Sequence, residues 1–467
     1  MAILYPKTYQ QPKPTVVGDL IIEFSNWIWG TPLLLLLLGG GLYMFVYSGF
    51  IPFVGFKHAL KVVGGKYDDP NATGDITSLQ ALSSAVAATV GLGNISGVAL
   101  AIGMGGPGAI FWMWISAFVG MATKFFTCTL AIMYRGTDSS GHVQGGPMYV
   151  IEEGMGKKWK FLSVIFCVAG VLGLLVIFQA NQLTAVLRAV MLEPFGLDQG
   201  MPTRWAIGLI LMGLVATVIL GGIQRIAKVA SRLVPFMVTI YFISVLVILG
   251  KNLGQVPEML WSILQDAFTG DAVLGGAVGQ VIIIGARRAA FSNEAGIGTA
   301  PMVHGASKNS EPVREGLIAM LGPFIDTIVV CTLTALAIMV TGVWQTGEKD
   351  GVLLTLSAFE QGLPGIGKYL LMVSVLVFAL STMFTYSYYG HKCFNYLFGA
   401  DKADFYNYFY LATLVGGAVT SLSVVMSFVD AMYAVMAFPT MISALYLSPK
   451  VREASRDYFQ RMKDMDK

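Results

Sequence analysis

The chain has 467 residues, of which 55 % are hydrophobic and 12 % charged, with 54 glycines and a formal net charge of +3. A soluble protein carries about 25 % charged residues, so the composition excludes a soluble globular protein. The small net charge decides nothing alone, because in a membrane the placement of the charges is what matters.

Eleven apolar segments each approach the ~20 residues that a helix needs to cross a bilayer. They lie at about 30–54, 78–103, 108–134, 161–189, 205–223, 230–250, 272–304, 316–342, 366–390, 407–427 and 430–448. The expected fold is therefore an all-α polytopic membrane protein with eleven transmembrane helices. The stretch before the first span, MAILYPKTYQQPKPT, lacks the apolar core and small-residue cleavage site of a signal peptide, so no leader is expected there.

The second span contains AVAATVGLGNISGV at 85–98, where Gly91, Gly93 and Gly97 interrupt an apolar run around Asn94. Each glycine costs about 1 kcal/mol in a helix interior, and backbone left unpaired in lipid costs more. Such a break persists where freed carbonyls and amides face a cavity or an ion. Amides at the start of a half-helix suit a carboxylate, and carbonyls at the end of one suit a hard cation. A kink, or close packing through small residues, gives the same pattern. After the third span, HVQGGPMYVIEEGMGKK (142–158) reads as a re-entrant turn or interfacial helix. The fourth span carries Gln179, Asn181 and Gln182, which either bond between helices or touch a solute.

The seventh span is long enough for two half-helices around GARRAAFSNEAGIG at 285–298. Phe291, Ser292, Asn293 and Gly296 fall here, and the polar pair needs either a neighbouring helix or a zwitterionic ligand. Arg287, Arg288 and Glu294 read first as a structural or gating ion pair. Asp326 lies in the eighth span, and Ser381, Thr382 and Thr385 lie in the ninth. Hydroxyls on a helix commonly bond back to their own backbone. Opposite a broken helix, Ser381 and Thr382 could instead complete an oxygen cage for sodium.

Of the 30 Lys and Arg residues, 20 fall on one side of this arrangement and 7 on the other, including the basic tail on the richer side. That bias puts the N-terminus outside and the C-terminus in the cytoplasm. The second to sixth and seventh to eleventh spans form two five-span units, which must have opposite topology because five is odd. A glycine break in the first span of each unit points to a secondary transporter. The expected division is 1–77 (N-terminal segment, extra helix and loop), 78–255 and 256–448 (the two repeats), and 449–467 (the tail). Phosphate loops, paired catalytic carboxylates and nucleophile motifs are missing, so an enzyme is not expected. His58, His142, His304 and His391 show no metal-ligand spacing, and the four cysteines suggest no disulfide framework.

Five blocks carry a family resemblance: TVGLGNISGVALAIGMGGPGAIFWMWISAFVGMATK, YRG with GGPMYVIEEG, RRAAFSNEAGIGTAPMVHGAS, PFIDTIVVCTLTALAIMVTGVW and STMFTYSYYGHKCFNYLFG. As an ordered set they resemble the alanine/glycine:cation symporter family of the amino acid–polyamine–organocation superfamily. The resemblance implies a leucine-transporter-like core of five plus five inverted helices and sodium-coupled uptake of small neutral amino acids across the plasma (inner) membrane. It implies that Gly91, Gly93 and Asn94 match the unwound part of the first core helix, and that FSNEAG matches the second broken helix. Ala87 and Val90 would lend carbonyls to sodium, with Ser381 and Thr382 supplying hydroxyls. A solute-binding set of Gly91, Gly93, Asn94, Gln179, Phe291, Ser292, Asn293, Gly296 and Tyr386 follows. The family usually has Trp where this chain has Tyr386, Glu at His391 and at Thr127, and a small residue such as Thr at Leu92. The expected partners are the amino acid, sodium as co-transported ion and the bilayer, with no cofactor and no nucleic acid. Proton coupling, and an ion channel or transport-like sensor, are the alternatives.

Overall fold

The computed structural model describes residues 16–67, 74, 76–268, 277–346 and 351–465. Over these the chain is a helical bundle with one small hairpin, Gly136–Thr137 paired with Val143–Gln144. Lys7, Lys13, Lys349 and Lys467, which enter the charge bias, lie outside the described residues, as does the start of the seventh span.

Two helices, α1 (Val16–Ile28) and α2 (Thr31–Tyr47), meet at 49°. Gly30 lies between them at the start of α2, and Pro32 sits in its first turn, where the missing N–H has no partner to lose. The first span therefore has a helix in front of it that hydropathy alone did not separate. The second span is α3 (Ser78–Thr89) and α4 (Gly93–Gly105), bent by 48°. Helix α3 starts on a reciprocal cap: Thr77 Oγ1 accepts from the Gln80 amide at 3.2 Å, and Gln80 Oε1 from the Thr77 amide at 2.9 Å. Helix α5 (Gly108–Met133) is uninterrupted. The 142–158 stretch supplies one hairpin strand and then a short helical segment, Pro147–Tyr149 running on through Val150–Met155, with residues 147–151 buried.

The fourth span is divided, into α6 (Lys160–Gly173) and α7 (Ile177–Leu187), where a single helix is expected from its unbroken apolar run. Helix α8 (Met201–Ile219) leads to α9 (Gly222–Lys251), which contains Pro235. Helix α10 (Val256–Asp266) then turns away, with the preceding bend at 81°. Next come α11 (Ala277–Asn293), α12 (Thr299–His304), α13 (Pro312–Val340), α14 (Val352–Gly362) and α15 (Gly367–Phe398). The chain ends in α16 (Phe405–Val419), α17 (Leu422–Tyr446) and α18 (Ser448–Met465). Helices α10 and α14 are absent from the sequence reading because each, at 11 residues, is too short to read as a span. The turn between the last two spans falls at Thr420 and Ser421, earlier than expected, since 405–446 is apolar almost throughout and hides it.

Six helices are long and apolar enough to cross a membrane, and three bent pairs raise the number to nine among the described residues. The most apolar window of α5 is 83 % buried and that of α8 only 33 %. Helix α5 is therefore a central column, packed by α2, α11 and α13, while α8 presents most of its surface outward. Helix α15 packs on α3, α6 and α9, which brings its hydroxyls to the first break.

Candidate functional site

Helix α3 ends because Val90 leaves the helical region (φ −71°, ψ 91°) and turns its carbonyl out of the helical row. The Gly91 amide that follows donates to Asn94 Oδ1 at 2.8 Å, so Asn94 caps the break from within. The Asn94 Nδ2 group donates to the Asp326 carbonyl at 3.1 Å, tying the break to α13. Asn94 is thus committed to holding the unwound segment in shape. The chain then re-enters α4 through a wide π-type turn at Gly93–Gly97.

Helix α15 lays two hydroxyls against the end of α3. Ser381 Oγ is 3.4 Å from the Ala87 carbonyl and Thr382 Oγ1 is 3.5 Å from the Ala88 carbonyl. Both hydroxyls also donate to Phe378 O in their own helix, at 2.9 and 3.1 Å. A Cβ at Gly91 would stand 2.6 Å from Thr382 Oγ1, so only glycine lets the two strands of this contact approach. Ala87, Val90, Ser381 and Thr382 are all fully buried, to within 1 %.

The second break faces the first. Helix α11 stops at Asn293; Glu294 takes a left-handed conformation (φ 56°), and Gly296 and Gly298 follow at φ 84° and 106°. Ser292 Oγ donates to Asp326 Oδ1 at 2.5 Å, and Asn293 Nδ2 to Thr327 Oγ1 at 2.9 Å. Phe291 lies against Gly93 and Gly97, whose hypothetical Cβ atoms would meet its ring at 3.5 and 3.6 Å. It packs edge-on against Phe178, with centroids 4.9 Å apart. Glu294 accepts hydrogen bonds from Tyr386 and Thr299, and Tyr386 also meets the Tyr433 hydroxyl at 2.9 Å. Asp326 therefore touches both breaks, one by its main chain and the other by its carboxylate.

The remaining sequence candidates divide. Gly296 faces away from the first break, toward Leu37 and Met441. Gln179 is buried beside Phe178 on α7, and among the described residues no hydrogen bond ties it to either break. Its neighbours hold the scaffold: Asn181 donates to Thr420 O at 2.7 Å, and Gln182 Oε1 accepts from Ser96 Oγ at 2.5 Å and from the Val352 amide at 3.0 Å. That seats α14 over the first break, with Thr355 Oγ1 donating to Ile95 O at 3.2 Å. Arg287 and Arg288 pair with Asp430 of α17, and Glu294 takes no part in that pair. Asp430 is a lone acid in an apolar span, which is the signal that sequence reasoning passed over. Lys124 was passed over too. Its side chain is buried in α5 and acts electrostatically on Glu294 and Asp326.

Gly298 shows how tightly the second break is set. A Cβ there would lie 2.4 Å from Thr440 Oγ1 and 2.6 Å from Phe166 Cε2, in a backbone conformation that side chains avoid. Gly298→Ala is expected to cost about 2–4 kcal/mol and to lower the melting temperature of the detergent-solubilised protein by several degrees. An unchanged melting curve would show that the break relaxes freely.

The profile of the sodium:alanine symporter family matches residues 15–467. An uncharacterised transporter of Haemophilus influenzae is 40 % identical over 456 residues, covering 96 % of this chain and 97 % of that one. The sodium/alanine symporter AgcS of Methanococcus maripaludis is 40 % identical over 435 residues, covering 92 % and 94 %. A putative sodium/proton-dependent alanine carrier, YrbD of Bacillus subtilis, is 32 % identical over 464 residues, covering 96 % and 93 %. A family of symporters accounts for the lack of any catalytic constellation in the sequence, and for two broken helices meeting inside a bundle of apolar ones. The chain belongs to the sodium:alanine symporter family and is a multi-pass membrane transporter, not an enzyme.

Proposed function

We propose that this chain carries small neutral amino acids, alanine and glycine first, into the cell with sodium by alternating access. The observation that carries this reading is the meeting of the two breaks: Gly93 of one lies against Phe291 and Ser292 of the other, and Asp326 bonds to both. Sodium occupies the carbonyls of Ala87 and Val90 with the hydroxyls of Ser381 and Thr382. The Gly91 amide is taken by Asn94, so the substrate carboxylate is left the amides of Leu92 and Gly93 at the start of α4. Phe291, Ser292, Asn293 and Tyr386 wall the pocket and Gln179 borders it, while Gly296, which faces Leu37 and Met441, shapes the second break from outside the pocket. With both solutes bound the outer side closes and the core rocks inward.

The architecture that suits this mechanism has eleven spans. To the nine by length and composition it adds the pair α11–α12 and the 15-residue α16. Residues 78–255 and 256–448 are the two inverted repeats, the first opening on the broken pair α3–α4 and the second carrying the broken pair α11–α12 after α10; 1–77 and 449–467 lie outside them. The basic residues favour an external N-terminus and a cytoplasmic C-terminus. The inward-negative potential adds about 2.3 kcal/mol per charge per 100 mV to the driving force.

A second reading, proton coupling, is favoured by one observation: two carboxyls, Glu294 and Asp326, are buried at the meeting point, and Asp326 Oδ2 has no hydrogen-bond partner among the described residues. Uptake of labelled alanine into proteoliposomes separates the two. Replacing external sodium by potassium is expected to abolish accumulation at any pH gradient. Accumulation that persists without sodium and follows an inward proton gradient would establish the second reading.

A further inference from the structure

Outside both breaks, α18 packs against α5 and α13 and sets Arg452 over Tyr47 at the end of α2. Its inner face is well seated: Val451 and Tyr458 are fully buried, and the Tyr458 hydroxyl is 2.7 Å from His58 Nε2. Beneath it is a cavity of about 190 Å³ lined by Tyr47, Ser48, Phe125, Phe126, Arg452, Ser455 and Arg456. Several other charges on this helix are paired. Lys450 meets Glu453 at 3.8 Å, and Arg461 meets Glu311 at 2.8 Å and Asp457 at 2.9 Å. Among the described residues, the two guanidiniums that line the cavity, Arg452 and Arg456, have no carboxylate partner. Arg452 instead stacks over the Tyr47 ring at 4.3 Å.

We propose that this cavity binds the headgroup of an anionic phospholipid of the inner leaflet. Two guanidiniums beside the Tyr47, Phe125 and Phe126 rings present donors and positive charge to a phosphodiester. Tyr47 is the last residue of α2, which with α1 makes one candidate span, so the cavity lies beside the end of a candidate span. Next to it, Val46, Phe50, Phe53 and Val54 are between 48 and 74 % exposed and form an apolar flank for the acyl chains. The inner-leaflet assignment rests on the proposed orientation; the site does not. Bound there, the lipid joins α18 to α2 and α5, and so holds the tail against the core.

The test is thermal unfolding of the full-length protein in detergent, titrated with phosphatidylglycerol, phosphatidylcholine or inorganic phosphate. Phosphatidylglycerol is expected to raise the melting temperature by several degrees, with phosphatidylcholine and phosphate inert at equal concentration. The double variant R452Q/R456Q is expected to lose about tenfold to thirtyfold in apparent lipid affinity. K157Q/K158Q, which removes the same charge elsewhere, is expected to keep it. If the double variant does not fold, Arg456→Gln alone carries the test, with a several-fold loss expected. A shift given equally by phosphatidylcholine or by free phosphate overturns the proposal, as does one that survives the arginine substitutions. Sodium-dependent uptake is not read in this experiment, so its failure leaves the transport reading untouched.

Discussion

Asp326→Asn is expected to cut sodium-driven alanine uptake by about 100-fold or more while leaving a folded protein. Asn still offers an oxygen to Ser292 Oγ, and the main-chain carbonyl that receives Asn94 Nδ2 is untouched, so both breaks keep their anchors. What disappears is one of two buried carboxyl groups that act electrostatically on Lys124. Removing one partner from a buried set of charges costs about 3–5 kcal/mol, enough to shift the populations of inward and outward states far from balance. Uptake is measured in proteoliposomes, with the melting temperature as the control for folding. Exchange of labelled against unlabelled alanine, without net flux, adds a discriminating readout. Loss of uptake and exchange together is expected if the charge shapes the site. Loss of accumulation with exchange intact would mean that Asp326 carries the coupling proton. Uptake within about threefold of the parent protein would remove Asp326 from the site altogether.

The parts of this site that were legible in the sequence are those where local chemistry conflicts with an apolar helix. Gly91, Gly93 and Gly97 are too costly for a simple span, and Gly296 and Gly298 with Ser292 and Asn293 mark the second break for the same reason. The residues offered Ser381 and Thr382 opposite the broken helix only as the lesser of two readings, beside hydroxyls bonded to their own helix, and the resemblance is what favoured the cage. The fold shows that both descriptions hold at once, since each hydroxyl donates to Phe378 O and faces a carbonyl of α3. Long-range partners were out of reach. Nothing around Asp430 announces that Arg287 and Arg288 will reach it, or that Glu294 will turn to Tyr386 and Thr299. Asn94 reads as a ligand group until its hydrogen bonds to Gly91 and Asp326 are seen to close the break itself. Element boundaries failed where apolar sequence is continuous, at the interruption between α6 and α7 and at the turn before α17, because hydropathy is blind to where a helix bends.

Thr382→Val carries the second large effect, and it falls on sodium. Valine keeps the shape and the β-branch, so the packing of α15 against α3 survives, and the hydroxyl that faces the Ala88 carbonyl is gone. A hydrogen-bonding group directed at a charge contributes about 1.5–3 kcal/mol, so the sodium concentration for half-maximal uptake is expected to rise about tenfold to hundredfold. The alanine concentration for half-maximal uptake, measured at saturating sodium, is expected to change by less than about threefold. This split separates a cation ligand from a packing residue, since a packing defect would weaken both solutes and lower the melting temperature. Gly91→Ala makes the converse test of the same contact. Its new methyl would press on Thr382 Oγ1 at 2.6 Å and push the hydroxyl off the carbonyl row. The two substitutions are therefore expected to shift sodium dependence in the same direction, and the double variant G91A/T382V to be less than additive, because one lost oxygen cannot be lost twice. Full additivity would place the two residues in separate functions and dissolve the cage.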